Sequence, residues 1–129
     1  MLAVEMPDGS PHGATVHFAY APDSSVFYFL TTPTYRKAEA LYTRKISRAS
    51  VVVGVDEGDL RTMQLDGEVA ILQLDERPKF DEVYFGKFPD KVGKFYDDLA
   101  FKFTPTWWRF TDWTGVDGKR IISSEDGPV

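Results

Sequence analysis

The stretch "VFYFLTTPTYRKAEAL", from Val26 to Leu41, places an apolar strand pattern directly before a helix pattern. The run Val26–Leu30 is apolar throughout, which predicts a buried strand. Between Thr34 and Lys45, apolar residues recur at three- and four-residue spacing, which predicts an amphipathic helix with Thr34 as its N-cap. The chain therefore passes from a strand into its main helix through a short turn.

The first turn of this helix contains two cations, Arg36 and Lys37. A helix start carries partial positive charge, so each cation there costs roughly 0.3–1 kcal/mol when nothing compensates. A phosphate bound there would turn this cost into a gain in stability, because the two cations and the free N–H groups of the first turn would all contact it. The alternative is a pair of solvated cations on the surface.

Working outward from this stretch, the sequence predicts short strands separated by turn residues. Gly67 marks a bend in a long strand, and Pro105 marks a break between two others. The segment from Glu76 to Asp98 predicts one or two short helices, with Pro89 near the start of the second. The predicted strands are Leu2–Glu5, Ala14–Ala21, Val26–Thr31, Ala49–Val55, Leu60–Leu74, Leu99–Thr104, Trp107–Trp113 and Arg120–Ile122.

This pattern predicts a mainly β protein with one domain, residues 1–129. We expect a small antiparallel barrel of six to seven strands with one to three short helices.

The composition narrows the class of protein. The 129 residues are 43% apolar and 27% charged, which suits a globular domain. There is no cysteine, which excludes disulfides and cysteine metal sites and is compatible with the cytoplasm. The net charge of −5 argues against a general nucleic-acid role, and no stretch predicts a membrane span or a signal peptide.

Three segments carry a family resemblance through their order. "VFYFLTTPTYRKAEAL" is followed by the β-branched "ASVVVGV" and then by "LRTMQLDGEVAIL". Together they resemble the pyridoxamine 5′-phosphate oxidase-like family of FMN-binding split β-barrels. The resemblance implies an FMN-dependent oxidoreductase that acts on a small-molecule substrate or electron donor. It also implies a homodimer with each flavin in the crevice between two barrels.

The resemblance implies roles for individual residues. Thr31 and Thr32 match positions at the phosphate or ribityl chain, and Arg36 and Lys37 match the basic pair on the phosphate. The other implied flavin contacts are Thr15, Val16, His17, Thr62, Gln64, Arg109 and either Trp107 or Trp108, of which Trp107 is favoured.

The chain also departs from the family pattern. The oxidase itself carries an Arg-x-His signature near its end, whereas this chain has "GKRIISSE" there. Oxidation of vitamin B6 is therefore not expected.

Two alternatives remain open. The first is a binding module, either for haem or a deazaflavin or for a flavin that it only senses or stores, and the second is a structural barrel dimer with an empty crevice. The only candidate histidines for haem are His12 and His17, and neither belongs to a metal-ligand cluster. The remaining charged groups, Asp97-Asp98 and the lysines at 87, 91 and 94, are interpreted as solvated.

Overall fold

The computed structural model describes residues 1–32, 34–43, 46–54, 58, 60–93, 98–115 and 117–126. Its strands are β1 (Leu2–Glu5), β2 (Pro11–Ala14), β3 (Ala19–Ala21), β4 (Val26–Thr31), β5 (Ile46–Val53), β6 (Arg61–Ile71), β7 (Leu99–Asp112) and β8 (Arg120–Ser123). The helices are α1 (Arg36–Thr43) and α2 (Arg77–Lys87), with 3₁₀ turns at Leu74–Glu76, Pro89–Lys91 and Ser124–Asp126. In the described part of the chain, no helix is long and apolar enough to cross a membrane.

The strands form one antiparallel sheet in the order β2-β1-β5-β6-β7-β4-β3, and β8 pairs with the far end of β7. The sheet curves without closing, because its two end strands, β2 and β3, do not pair with each other. The connection Thr15–Phe18 joins these two strands. The predicted antiparallel split barrel is therefore confirmed.

Strand β4 separates two hydrophobic cores. Phe27 and Phe29 face the barrel interior, where Phe29 stacks on Phe101 with ring centroids 5.0 Å apart. Val26 and Tyr28 face the other way, against Phe80 and Tyr84 of α2. Alternating residues of a strand point to opposite faces, so an uninterrupted apolar run is what a strand between two cores requires.

Gly67 allows β6 and β7 to approach each other closely at a bend. The pairing register shifts between Asp66 and Gly67, opposite Pro105. A Cβ atom on Gly67 would lie 2.1 Å from the carbonyl oxygen of Thr104, so only glycine fits there. The bend predicted at Gly67 is confirmed.

Several predicted boundaries were wrong. The single strand expected over Ala14–Ala21 is two strands, β2 and β3, with Thr15–Phe18 outside both. The predicted strands on either side of Pro105 are one continuous strand, β7, and the total is eight rather than six to seven. Helix α1 begins at Arg36, two residues after the predicted N-cap. The predicted ends Lys45 and Val55 lie outside the described residues.

Candidate functional site

A cavity of about 170 Å³ lies where the connection between β2 and β3 passes the end of β4 and the start of α1. It brings together six of the site residues predicted from the sequence, along with five others. The lining residues are Thr15, Val16, His17, Leu30, Thr31, Thr32, Tyr35, Lys37, Tyr84, Lys91 and Asp98.

Thr31 is the last residue of β4 and is only 2% exposed. Its Oγ1 atom is buried and has no hydrogen-bond partner among the residues that the structure describes. A buried polar group without a partner costs roughly 1–3 kcal/mol. Because Thr31 also lines the cavity, the orphaned hydroxyl is placed to bind a polar ligand there.

Lys37 is a buried cation at the start of α1, with 9% of its surface exposed. Its Nζ atom lies 4.6 Å from the ring centroid of Tyr35. Burial lowers the pKa of Lys37, and the charge of Asp98 opposes that shift. Among the described residues, no carboxylate forms an ion pair with Lys37. An anion in the cavity would compensate this charge.

Arg36 and Lys37 differ in environment, although the sequence predicts them as a pair. Arg36 is exposed and is not among the residues that line the cavity. Hydrogen bonds from Ser10 are the main cause of the lowered pKa of Asp8, and the nearby charge of Arg36 makes a smaller contribution in the same direction. Successive helix residues are about 100° apart, so only one of the two faces the cavity.

Tyr84, Lys91 and Asp98 form part of the cavity wall and were missed by the sequence reasoning. Lys91 and Asp98 were predicted to be solvated, but both line the cavity and are half-buried. A signal was available for Lys91. Tyr84, Phe88 and Lys91 are spaced by four and three residues, which in a sequence indicates one helical face, although the structure ends α2 at Lys87 and places Lys91 in the 3₁₀ turn that follows. Asp97 and Lys94 lie outside the described residues.

The remaining predicted site residues lie on the pair β6–β7, away from this cavity. Gln64 is exposed and lies opposite Arg109. The guanidinium carbon of Arg109 is 5.3 Å from the ring centroid of Trp107, and the Nε atom of Arg109 is buried without a partner in the described part of the chain. Trp107 donates its Nε1–H to Glu125 over 3.2 Å. A second group of predicted site residues, which we call the β6–β7 group, consists of Gln64, Trp107 and Arg109.

Thr62 and Trp108 line a separate apolar groove of about 610 Å³. Trp108 also packs against the barrel core, so its ring stabilises the fold. Trp107, its neighbour on β7, points to the opposite face of the sheet, and the choice of Trp107 as the ligand contact stays a prediction.

The cavity fits an anionic group better than a whole planar cofactor. It offers a buried hydroxyl from Thr31, a buried ammonium from Lys37 and the start of α1. Sites for complete small molecules usually have volumes of about 300–1,000 Å³, well above that of this cavity. The residues of one chain therefore fit a phosphate group and its nearest atoms, with any attached ring lying outside.

Removing the Thr31 hydroxyl is expected to stabilise the ligand-free chain. In Thr31→Val a methyl group replaces an oxygen that has no partner, so the free energy of unfolding should rise by about 1 kcal/mol. Urea denaturation measures this. The exposed Thr104 on β7 provides the control, and Thr104→Val should change stability by less than about 0.5 kcal/mol. A loss of stability in Thr31→Val alone would mean that the hydroxyl has a partner in the free protein.

Comparison with known proteins identifies a family. The sequence profile of the family described as Pyridoxamine 5′-phosphate oxidase matches residues 1–112. No curated protein sequence matches the chain.

Several solved structures, among them the following three, are similar in fold. A protein of unknown function from Agrobacterium tumefaciens has a TM-score of 0.68 and 16% identity, over 84% of this chain and 48% of its own. A heme binding protein from Mycobacterium smegmatis has a TM-score of 0.67 and 12% identity, over 96% of this chain and 52% of its own. A pyridoxamine 5′-phosphate oxidase-related, FMN binding protein from Nostoc punctiforme has a TM-score of 0.64 and 16% identity, over 93% of this chain and 76% of its own. The chain thus spans about half the length of the first two, and identities this low show a shared fold alone.

Proposed function

Because the chain belongs to the pyridoxamine 5′-phosphate oxidase family, we propose that it is a flavoprotein that binds FMN through the phosphate group. One observation carries the proposal. The cavity at the end of β4 contains a buried ammonium, on Lys37, and a buried hydroxyl, on Thr31, that has no partner within the described ranges. A phosphate group would bind both at once, and the partial positive charge at the start of α1 would also attract it.

The isoalloxazine ring would then lie beyond the cavity mouth, near the connection Thr15–Phe18. Thr15, Val16 and His17 line the cavity, and Thr15 and His17 are exposed. FMN bound in this way would supply hydride transfer between a reduced donor and a small-molecule acceptor. The chain would hold the phosphate, orient the ring and shield one side of it.

We further propose that the site is completed by a second copy of the chain. The β6–β7 group presents an amide, an indole and a guanidinium, which are suitable hydrogen-bonding and stacking partners for a flavin ring. In one chain this group does not line the cavity that holds Thr31 and Lys37. A dimer would bring the β6–β7 group of one chain to the phosphate cavity of the other, and would account for the unpartnered Nε of Arg109.

Haem is the second candidate ligand. The Mycobacterium smegmatis neighbour is described as a heme binding protein, and His17 stands exposed at the cavity, where an imidazole could act as an axial ligand. His12, by contrast, lies on β2, paired with Val4 of β1.

Titration of the purified chain with FMN, riboflavin and haem tests the proposal. We expect FMN to bind with quenching of its fluorescence, and riboflavin, which lacks the phosphate, to bind at least about a hundredfold more weakly. Sedimentation of the FMN complex should give the mass of a dimer. A chain that binds FMN and riboflavin equally well, or that develops a haem Soret band and binds no flavin, would contradict the proposal.

A further inference from the structure

Lys91 places a second ammonium group at the phosphate cavity from a distant part of the sequence. It ends the 3₁₀ turn Pro89–Lys91 that follows α2, whereas Lys37 belongs to α1. Both lysines line the same cavity. The cavity is therefore bounded by cations from two elements that are more than fifty residues apart in the chain.

Two aromatic residues, Tyr84 in α2 and Phe88 directly after it, hold the Lys91 side chain in place. Its Nζ atom donates a hydrogen bond to the hydroxyl oxygen of Tyr84 over 3.3 Å and lies 4.5 Å from the ring centroid of Phe88. Tyr84 is 1% exposed and packs in the core between α2 and the sheet. Among the described residues, no carboxylate forms an ion pair with Lys91. The ammonium is thus preorganised by neutral groups, and its charge remains available to a ligand.

The charge of a phosphate monoester requires more than one cation. Near neutral pH such a group carries about −1.5 to −2 charges. The cavity lining contains two lysines and one aspartate, Asp98, so with Lys91 removed the remaining lysine and aspartate would cancel. Lys37 alone therefore leaves the anion uncompensated.

We propose that Lys91 is the second cation of the phosphate site, with Tyr84 as its positioning residue. This inference rests on the proposed binding of FMN. It differs from the sequence expectation, in which Arg36 supplies the second charge, because Arg36 is exposed and does not line the cavity whereas Lys91 does. The same pair of lysines would favour any ligand that carries a phosphate monoester.

Comparison of FMN with riboflavin isolates this contact, because the two molecules differ only in the phosphate. In Lys91→Gln we expect the Kd for FMN to rise about tenfold to a hundredfold, while the Kd for riboflavin stays within about twofold of the wild-type value. Lys91→Arg, which keeps the charge, should recover most of the affinity. Tyr84→Phe removes the hydroxyl that holds the ammonium and should weaken FMN binding several-fold.

Lys87 provides the matched control. It lies one turn earlier, on α2, and its Nζ atom donates to the carbonyl oxygen of Phe18 over 2.6 Å rather than lining the cavity. Lys87→Gln makes the same change in net charge and should leave the Kd for FMN within about twofold. Circular dichroism checks that each variant is folded, and Tyr84→Phe tests the inference independently should Lys91→Gln be unfolded.

The two proposals fail in different ways. In the first case the wild-type chain prefers FMN strongly over riboflavin, and Lys91→Gln binds FMN as tightly as the wild type does. This result overturns the role of Lys91 and leaves the proposed function intact. Equal losses for FMN and riboflavin in Lys91→Gln also overturn it, since the contact would then be to the ring. Wild-type chain without any preference for FMN overturns the proposed function itself.

Discussion

Replacing Lys37 with methionine is expected to weaken FMN binding by about a hundredfold to a thousandfold. Lys37 is the buried cation at the start of α1, so it would meet the phosphate in a poorly hydrated place where charge-assisted hydrogen bonds are strong. Methionine keeps most of the side-chain length and volume but removes the charge. Fluorescence titration with FMN and with riboflavin measures the effect, and riboflavin binding should change little.

Arg36→Met is the comparison that makes this result informative. It removes the same charge one residue earlier, from a side chain that is exposed and does not line the cavity. We expect its loss of FMN affinity to be at least ten times smaller than that of Lys37→Met. Equal losses in the two variants would mean that the phosphate lies outside the cavity, at the exposed surface of the helix.

In the absence of ligand, the same Lys37→Met substitution should stabilise the chain. Burial lowers the pKa of Lys37 below its usual value of 10.5. A lysine with a lowered folded-state pKa destabilises the fold while it is charged, and this penalty fades as the pH rises through the folded-state pKa. We therefore expect Lys37→Met to melt a few degrees higher than the wild type at neutral pH, with a smaller difference at alkaline pH.

Gly67→Ala is expected to reduce the free energy of unfolding by about 3 kcal/mol or more. The new Cβ atom would lie 2.1 Å from the carbonyl oxygen of Thr104 and 2.9 Å from the Cα atom of Pro105. Both obstacles are backbone atoms of the paired strand, so they can move only if β6 and β7 separate. The melting temperature should fall by roughly 10 °C or more.

Gly13→Ala provides the control for this prediction. Gly13 lies on β2, an end strand of the sheet, and its added Cβ would meet only the sulfur of Met1, at 3.9 Å. Its stability should stay within about 0.5 kcal/mol of the wild type. If Gly67→Ala melted at the same temperature as Gly13→Ala, this would contradict the close contact between the backbones of β6 and β7 at Gly67.

Local pattern was enough to predict most of the fold. The apolar run of β4 and the helical spacing of α1 are signals that lie within a few residues of each other, and both elements were found. The prediction of a single strand over Ala14–Ala21 was wrong because the alternation of apolar and polar residues continues through Thr15–Phe18. The open sheet leaves this connection unpaired. The residues of one short segment do not indicate where the pairing of strands in a barrel is interrupted.

The site was less predictable, because its parts come from distant segments. The end of β4 and the start of α1 are adjacent in sequence, so Thr31 and Lys37 could be found together. Lys91 reaches the same cavity through the packing of α2 against β4, and Asp98 reaches it through the pairing of β7 with β4, in which Leu99 lies opposite Thr31. The unequal exposure of Arg36 and Lys37 likewise depends on which side of α1 the sheet covers.

The position of Thr31 at the end of β4 links ligand recognition to global stability. That strand is the shared wall of both hydrophobic cores, so its backbone has no independent freedom to turn the hydroxyl toward bulk solvent. Exposure of this oxygen would require at least the end of β4 to separate from Leu99, its partner on β7. If the proposed ligand binds, the hydroxyl is therefore already oriented toward it in the free chain, and the packing of the two cores offsets the free-energy cost of holding it there.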